Sequence, residues 1–142
     1  MPVYTCALVW YNIIINLVEK YDMAYLKDYM SGRNLLTIDG DYIKDYMTGR
    51  YKYRISGDKV VDYMSGRCLY TIGNGYIKDY MSGRYLLTVT SNQVKDYMSG
   101  RAIATYDSSY IKDYMSGRYL YKIDGFISGK EMMALIAILF AV

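Results

Sequence analysis

The chain has 142 residues, 53% apolar and 22% charged, which is long enough for one domain with a sizeable core and too apolar for a disordered chain. Seventeen basic against fourteen acidic residues leave a net charge of +3, too balanced to imply binding to nucleic acid or to a membrane surface. There is no histidine, which removes the commonest general base and the commonest metal ligand together.

The N-terminal stretch Met1 to Val18 is largely apolar but lacks a basic leader and a clear cleavage site, so it does not read as a signal peptide. The two cysteines, Cys6 and Cys68, belong to no motif, and neither a disulfide framework nor a zinc site is expected. Cys68 reads as a small core filler. Together these features favour a cytoplasmic location. Leu17 to Asp22 looks like a degenerate second half of a unit that follows in full, so residues 1–24 form an N-terminal cap on one continuous domain, 1–142.

Residues 25–125 carry an internal repeat, which decides the architecture. The string Asp-Tyr-Met-Ser/Thr-Gly-Arg begins at Asp28, Asp45, Asp62, Asp79, Asp96 and Asp113, always 17 residues apart. Numbering the unit 1 to 17 from Tyr42, place 2 is aliphatic in every copy: Leu26, Ile43, Val60, Ile77, Val94 and Ile111. Places 4 to 6 are Asp-Tyr-Met, places 7 and 8 Ser/Thr-Gly, and place 9 Arg. A segment rich in aromatic and aliphatic residues follows, such as Tyr119-Leu120-Tyr121-Lys122-Ile123, and then a second turn at places 15 and 16, such as Asp39-Gly40.

Tyr, Ile, Val and Thr favour strands, and glycine-containing pairs between them mark hairpins. Seventeen residues hold two strands of about six, a three-residue Met-Ser-Gly loop and a two-residue type I′ Asp-Gly turn. On this register places 2, 10, 12 and 14 share the core face, as in Ile43, Tyr51, Tyr53 and Ile55. Tyr at place 5 and Arg at place 9 lie opposite, where a pair such as Tyr46 and Arg50 is expected to stack as cation and ring. A parallel solenoid with one unit per rung is the alternative. It would pile six Asp and six Arg in columns about 4.8 Å apart, and like charges so opposed destabilise a sheet. An antiparallel meander keeps equivalent residues two strands apart and is the expected arrangement. Its two edges need protection, which curling or closing the hairpins provides.

Residues 126–142 end the chain. Phe126-Ile127-Ser128-Gly129-Lys130 echoes the repeat after a five-residue deletion, and Met132 to Val142 is an unbroken apolar run. A membrane-spanning helix needs about 20 residues. A helix apolar on every side must be enclosed, so this run is expected to plug the middle of the ring or to pack across its concave face, with membrane contact by the C-terminal segment the lesser alternative. The expected fold is therefore all-β: an antiparallel meander of six 17-residue β-hairpin repeats, curled or closed around a short apolar C-terminal helix.

The pattern Ile-x-Asp-Tyr-x-x-Gly-Arg-x-x-x-x-Ile-Asp-Gly resembles the small bacterial hairpin-repeat proteins described as four-fold β-flowers, over residues 23–130. The resemblance implies short hairpins joined around a pseudo-symmetry axis and an apolar tail. It implies no activity, and this chain has six full copies rather than four.

For chemistry, the six Ser/Thr at place 7 have no base beside them and the glycine is explained by the turn, so they are not nucleophiles. Six equivalent Asp do not separate a general acid from a base. The chain is read as no enzyme, with no cofactor and no metal. The hexapeptide is read chiefly as turn chemistry: Asp accepting from turn amides, Gly permitting the turn, Arg covering Tyr. The residues that could face a ligand are Tyr29, Tyr46, Tyr63, Tyr80, Tyr97 and Tyr114 with Arg33, Arg50, Arg67, Arg84, Arg101 and Arg118. Two function classes follow. One is a structural or assembly protein, with a homo-oligomer as the partner class. The other is a binding module presenting repeated Tyr/Arg/Asp sites to a repetitive ligand such as a glycan or cell-wall polymer. Interleaved Asp argues against nucleic acid.

Overall fold

The protein is described here by a computed structural model that covers residues 23–141. The apolar N-terminal segment, Cys6 and the half-unit at 17–22 lie outside the described residues. Twelve strands run in chain order: β1 (Met23–Asp28), β2 (Asn34–Asp39), β3 (Tyr42–Asp45), β4 (Tyr51–Ser56), β5 (Lys59–Asp62) and β6 (Cys68–Gly73). They continue as β7 (Tyr76–Asp79), β8 (Tyr85–Val89), β9 (Gln93–Asp96), β10 (Ala102–Tyr106), β11 (Tyr110–Asp113) and β12 (Tyr119–Asp124), followed by one helix, α1 (Gly129–Phe140). Each strand pairs antiparallel with its chain neighbours, and β1 pairs with β12, so the meander closes into a barrel with no free edge. The expected all-β, helix-filled meander is the fold, and the stacked solenoid is not.

At the seam between β12 and β1 the backbone approaches closely beside Gly125. A side chain on Gly125, whose φ is +107°, would stand 2.8 Å from the Met23 carbonyl oxygen. Only glycine fits there.

The register explains the faces. Within the second unit Tyr42 pairs with Arg54, Ile43 with Tyr53 and Lys44 with Tyr51. Lys52, at place 11, is skipped, which makes a β-bulge. The same one-residue shift recurs in every hairpin. It corrects one expectation. Places 2, 12 and 14 do point inward, and all six place-2 residues are fully buried. Place 10 does not. The bulge turns Tyr51, Tyr85 and Tyr119 outward, where they remain 37–38% exposed. Cys68, also at place 10, is likewise half-buried on the outer side and no core filler.

The turns differ from expectation for related reasons. The first strand of most units has four residues and the loop after it five, such as 46–50. The short turn falls at places 16 and 17, one residue later than predicted. Gly40 and Gly57 take positive φ at the first position, in the sense of a type II′ turn, whereas Asn74 and Gly75 are both positive, as a type I′ turn demands. Where glycine is missing a side chain does the work. The Thr90 hydroxyl accepts from the Gln93 amide at 3.1 Å, and Asp107 Oδ1 accepts from the amides of Ser109 and Tyr110 at 2.7 and 2.8 Å.

The helix starts where the repeat breaks off. Ser128 and Gly129 correspond to the Ser-Gly of a loop, but Glu131 lies three residues beyond Ser128 and closes a capping box. The Ser128 hydroxyl accepts from the Glu131 amide at 3.2 Å, and the Glu131 carboxylate accepts from the Ser128 amide at 3.1 Å. Ala134, Leu135, Ile136 and Ala137 are all fully buried. Four successive residues cover every side of a helix, so barrel wall surrounds it. They form one core cluster with the inward strand residues. The first turn of α1 lies beside Gly57, Asp58 and Gly73, at the short-turn rim. At about 1.5 Å per residue its 12 residues span roughly 18 Å, enough to reach the opposite rim, formed by the six hexapeptide loops.

Candidate functional site

The hexapeptide loop is built from its own residues. In the first copy Asp28 donates its amide to the Arg33 carbonyl at 2.9 Å, and Gly32 donates to the Asp28 carbonyl at 2.8 Å. Gly32 has φ +71°, open to glycine and strained for other residues. Asp28 Oδ2 accepts from both the amide and the hydroxyl of Ser31, at 2.9 and 2.8 Å, and the Ser31 hydroxyl accepts from the Arg33 amide at 3.2 Å. All six copies repeat this set, with Thr48 replacing serine in the second. The inward-facing Asp of place 4 is thereby explained: it pairs opposite place 12 but turns its carboxylate into the loop.

These contacts hold all six Asp carboxyls below the ordinary carboxylate range. In Asp28, Asp79, Asp96 and Asp113 the serine amide is the largest cause, followed by the hydroxyl; in Asp45 and Asp62 the order is reversed. A carboxyl whose folded pKa is depressed adds stability above its unfolded pKa of about 3.9. That contribution disappears as pH falls through the lower folded value. We therefore expect the melting temperature to be flat from neutrality to about pH 5 and to fall below about pH 4. Replacing three of the six Asp by Asn should flatten that acid limb in a thermal-melting series. An unchanged limb would mean the loop carboxylates do not govern it.

The loop uses the backbone of Tyr, Met and Arg but not their side chains. Each place-5 amide donates to the place-11 carbonyl of the preceding unit, as Tyr63 does to Lys52 at 2.9 Å. This carries the place-5 ring across to that unit's place-10 residue. Tyr63 stacks on Tyr51 at 5.0 Å, Tyr97 on Tyr85 at 4.8 Å and Tyr29 on Tyr119 at 4.8 Å. Tyr42, Tyr76 and Tyr110 stand edge-on to these pairs. Lys44, Lys78 and Lys112 place their ammonium groups 4.7, 4.6 and 4.5 Å from the centres of the Tyr51, Tyr85 and Tyr119 rings.

Three like clusters therefore stand on the outer wall, one for every 34 residues. The even-numbered units carry Tyr at place 10, whereas the odd ones carry Asn34, Cys68 and Ala102. The remaining place-5 rings have other surroundings: Tyr46 is edge-on to Tyr25 at 5.9 Å, Tyr80 lies beneath Lys59 at 5.5 Å, and Tyr114 makes neither kind of contact among the described residues. The structure thus brings Tyr29, Tyr63 and Tyr97 into clusters and leaves Tyr46, Tyr80 and Tyr114 outside them. The doubled period is legible in the sequence at place 10, but it matters only once the bulge has turned that place outward.

The six arginines, Arg33, Arg50, Arg67, Arg84, Arg101 and Arg118, are exposed at the loop rim. None lies over a ring among the described residues. The expected Tyr46–Arg50 stacking is not formed, because the chain pairs Asp45 with Arg50 across the loop neck and sends Tyr46 toward the preceding unit. Between the second and third hairpins a cleft of about 700 Å³ joins Arg50, Tyr51, Tyr53 and Tyr63 to Asp45 and Asp62. Among the described residues no group of His, Cys, Asp and Glu is placed to hold a metal ion. None of the described helices is long and apolar enough to cross a membrane.

No protein-family model, no curated protein and no solved structure matches the chain.

Proposed function

We propose that the chain is a non-enzymatic structural repeat protein whose product is the closed ring itself. The observation that carries this reading is the filled interior: the space a barrel of this size would offer a ligand holds the chain's own helix, with Leu135 and Ile136 fully buried. The loop carboxylates support it as well. General acid or base work near neutral pH calls for a carboxyl raised toward 7, and these six are shifted the other way. Light-scattering mass combined with electron microscopy tests the reading. The expected result is uniform barrels, or regular assemblies of them, without added ligand. A chain that becomes ordered only when a small molecule is supplied would overturn it.

A second reading is favoured by the cleft at Tyr51 and Tyr63. A stacked aromatic pair beside a guanidinium and two carboxylates is a surface on which a sugar ring can lie with its hydroxyls bonded. Under this reading the chain is a binding module for a glycan or cell-wall polymer, presenting its sites around the wall. Tyr51→Ser with Tyr63→Ser should abolish retention on a glycan array while leaving the circular dichroism spectrum intact. Absence of binding by the parent chain would remove the reading.

A further inference from the structure

We propose that the rim of hexapeptide loops docks peripherally on an anionic lipid surface. Each unit is joined to the next by the same pairings, place 12 to 4 and place 14 to 2, and the ring closes. Equal steps around a closed ring sum to no rise, so the six loop tips stand at one height. Neighbouring tips are two strands apart, roughly 10 Å. The result is a flat annulus of six equivalent contact points.

At each tip the most exposed large apolar side chain is methionine. Met30, Met47, Met64, Met81, Met98 and Met115 are 75–85% exposed, and none of the loop's hydrogen bonds needs them. Gathered on one flat rim, the six thioether side chains give that end of the barrel an apolar face that the outer wall and the opposite rim lack. Beside each methionine stands an arginine whose guanidinium takes no part in the two ion pairs among the described residues, Lys27–Asp124 and Lys44–Asp39. The neighbouring Asp turns one carboxylate oxygen into its own loop, where a serine or threonine binds it twice. The six arginines are balanced one for one by the loop aspartates, and the place-3 lysines Lys27, Lys44, Lys78, Lys95 and Lys112, with Lys52, then leave the loop end of the wall positive. The net charge of +3, which in sequence looked too small to matter, hides this placement.

Geometry selects the occupant. A planar, fluid surface meets six equal contacts without having to match their spacing. A second copy docked rim to rim would bring two positively charged ends together. The opposite rim offers no matching surface, because its turns differ from copy to copy, from Gly40-Asp41 to Asn74-Gly75 to Ser108-Ser109. Lipid phosphates complement the guanidinium groups, and flexible thioether side chains can enter the headgroup boundary while the arginines remain at phosphate depth. The far end of α1, with Ile138, Leu139 and Phe140 half-buried, faces the same side.

The full chain should co-sediment with phosphatidylcholine vesicles containing about a third phosphatidylserine, and much less with phosphatidylcholine alone. Raising salt should release it. Replacing Arg67, Arg84 and Arg101 by serine should weaken partitioning by about fivefold per arginine. Met64→Ser, Met81→Ser and Met98→Ser together should weaken it too, with melting temperature unchanged because no loop hydrogen bond uses these side chains. Vesicles should also slow peroxide oxidation of the six rim methionines, read by mass spectrometry, but not that of Met132 inside the barrel. Three results would each overturn the proposal. They are no binding by the parent, binding that both triple variants retain, and a parent dimer that the methionine variant loses without vesicles, which would make a second copy the occupant.

Discussion

Excising one unit, residues 59–75, is expected to expel the helix and destroy the cooperative unfolding transition. The cut preserves every local rule. Asp58 would be followed by Tyr76, place 17 by place 1, and each remaining hairpin keeps its loop and register. Only the circumference changes. Twelve strands about 4.8 Å apart, tilted by roughly 40°, close at a diameter of roughly 24 Å, and ten close at roughly 20 Å. The wall then moves inward by about 2 Å on every side, carrying Tyr53, Tyr121, Leu87 and other inward side chains into a core that α1 already fills. Overpacking on that scale cannot be absorbed by rotamer changes. Losing the helix instead forfeits roughly 1.5–3 kcal/mol for each of Leu135 and Ile136, besides the remaining buried face. Urea unfolding followed by circular dichroism, with limited proteolysis after Lys130, checks this. A stable ten-stranded product that still protects its helix would show that the ring tolerates variable unit number.

The second large effect concerns one side chain. Leu135→Ala should lower stability by about 3 kcal/mol, within the range for a fully buried leucine whose surroundings only partly collapse. Leu135 is completely buried, and the residues around it come from strands locked in a closed ring, which leaves little freedom to close the void. The urea midpoint should fall while the slope of the transition stays constant. Leu135→Met, which conserves volume, should cost less than about 1.5 kcal/mol. If alanine costs no more than methionine, the helix is not the plug that holds the wall apart.

These two experiments concern the features most legible in the chain itself. Place 2, aliphatic six times over, is buried six times over. The apolar run from Met132 calls for enclosure, by a closed ring or by the concave face of a curled sheet. The hexapeptide was legible as turn chemistry because Asp, Ser and Gly each have a known backbone use, and the hydrogen bonds of Asp28, Ser31 and Gly32 follow those uses. Less legible were the outer wall and the loop length. The stretch Tyr51-Lys52-Tyr53-Arg54-Ile55 alternates without a break, and nothing in it announces that Lys52 is skipped in the pairing. Alternation alone therefore puts Tyr51 inside. Stacking of Arg50 on Tyr46 fails for a like reason: a three-residue loop makes those residues neighbours and a five-residue loop does not.

The amino-acid pattern alone determined the hairpin unit, the inward rows at places 2 and 14 and an apolar helix that needs enclosure, and it favoured antiparallel joining over a stacked solenoid. Those features are governed by short-range sterics and by the period of apolar residues, and both are written along one strand. Closure on twelve strands, the outward turn of place 10, the pairing of tyrosines in every second unit and the common height of the six methionine tips were decided by the tertiary structure. Each depends on how a strand is offset against its neighbour and how many neighbours complete the circle. A one-residue offset leaves the alternation within either strand unchanged.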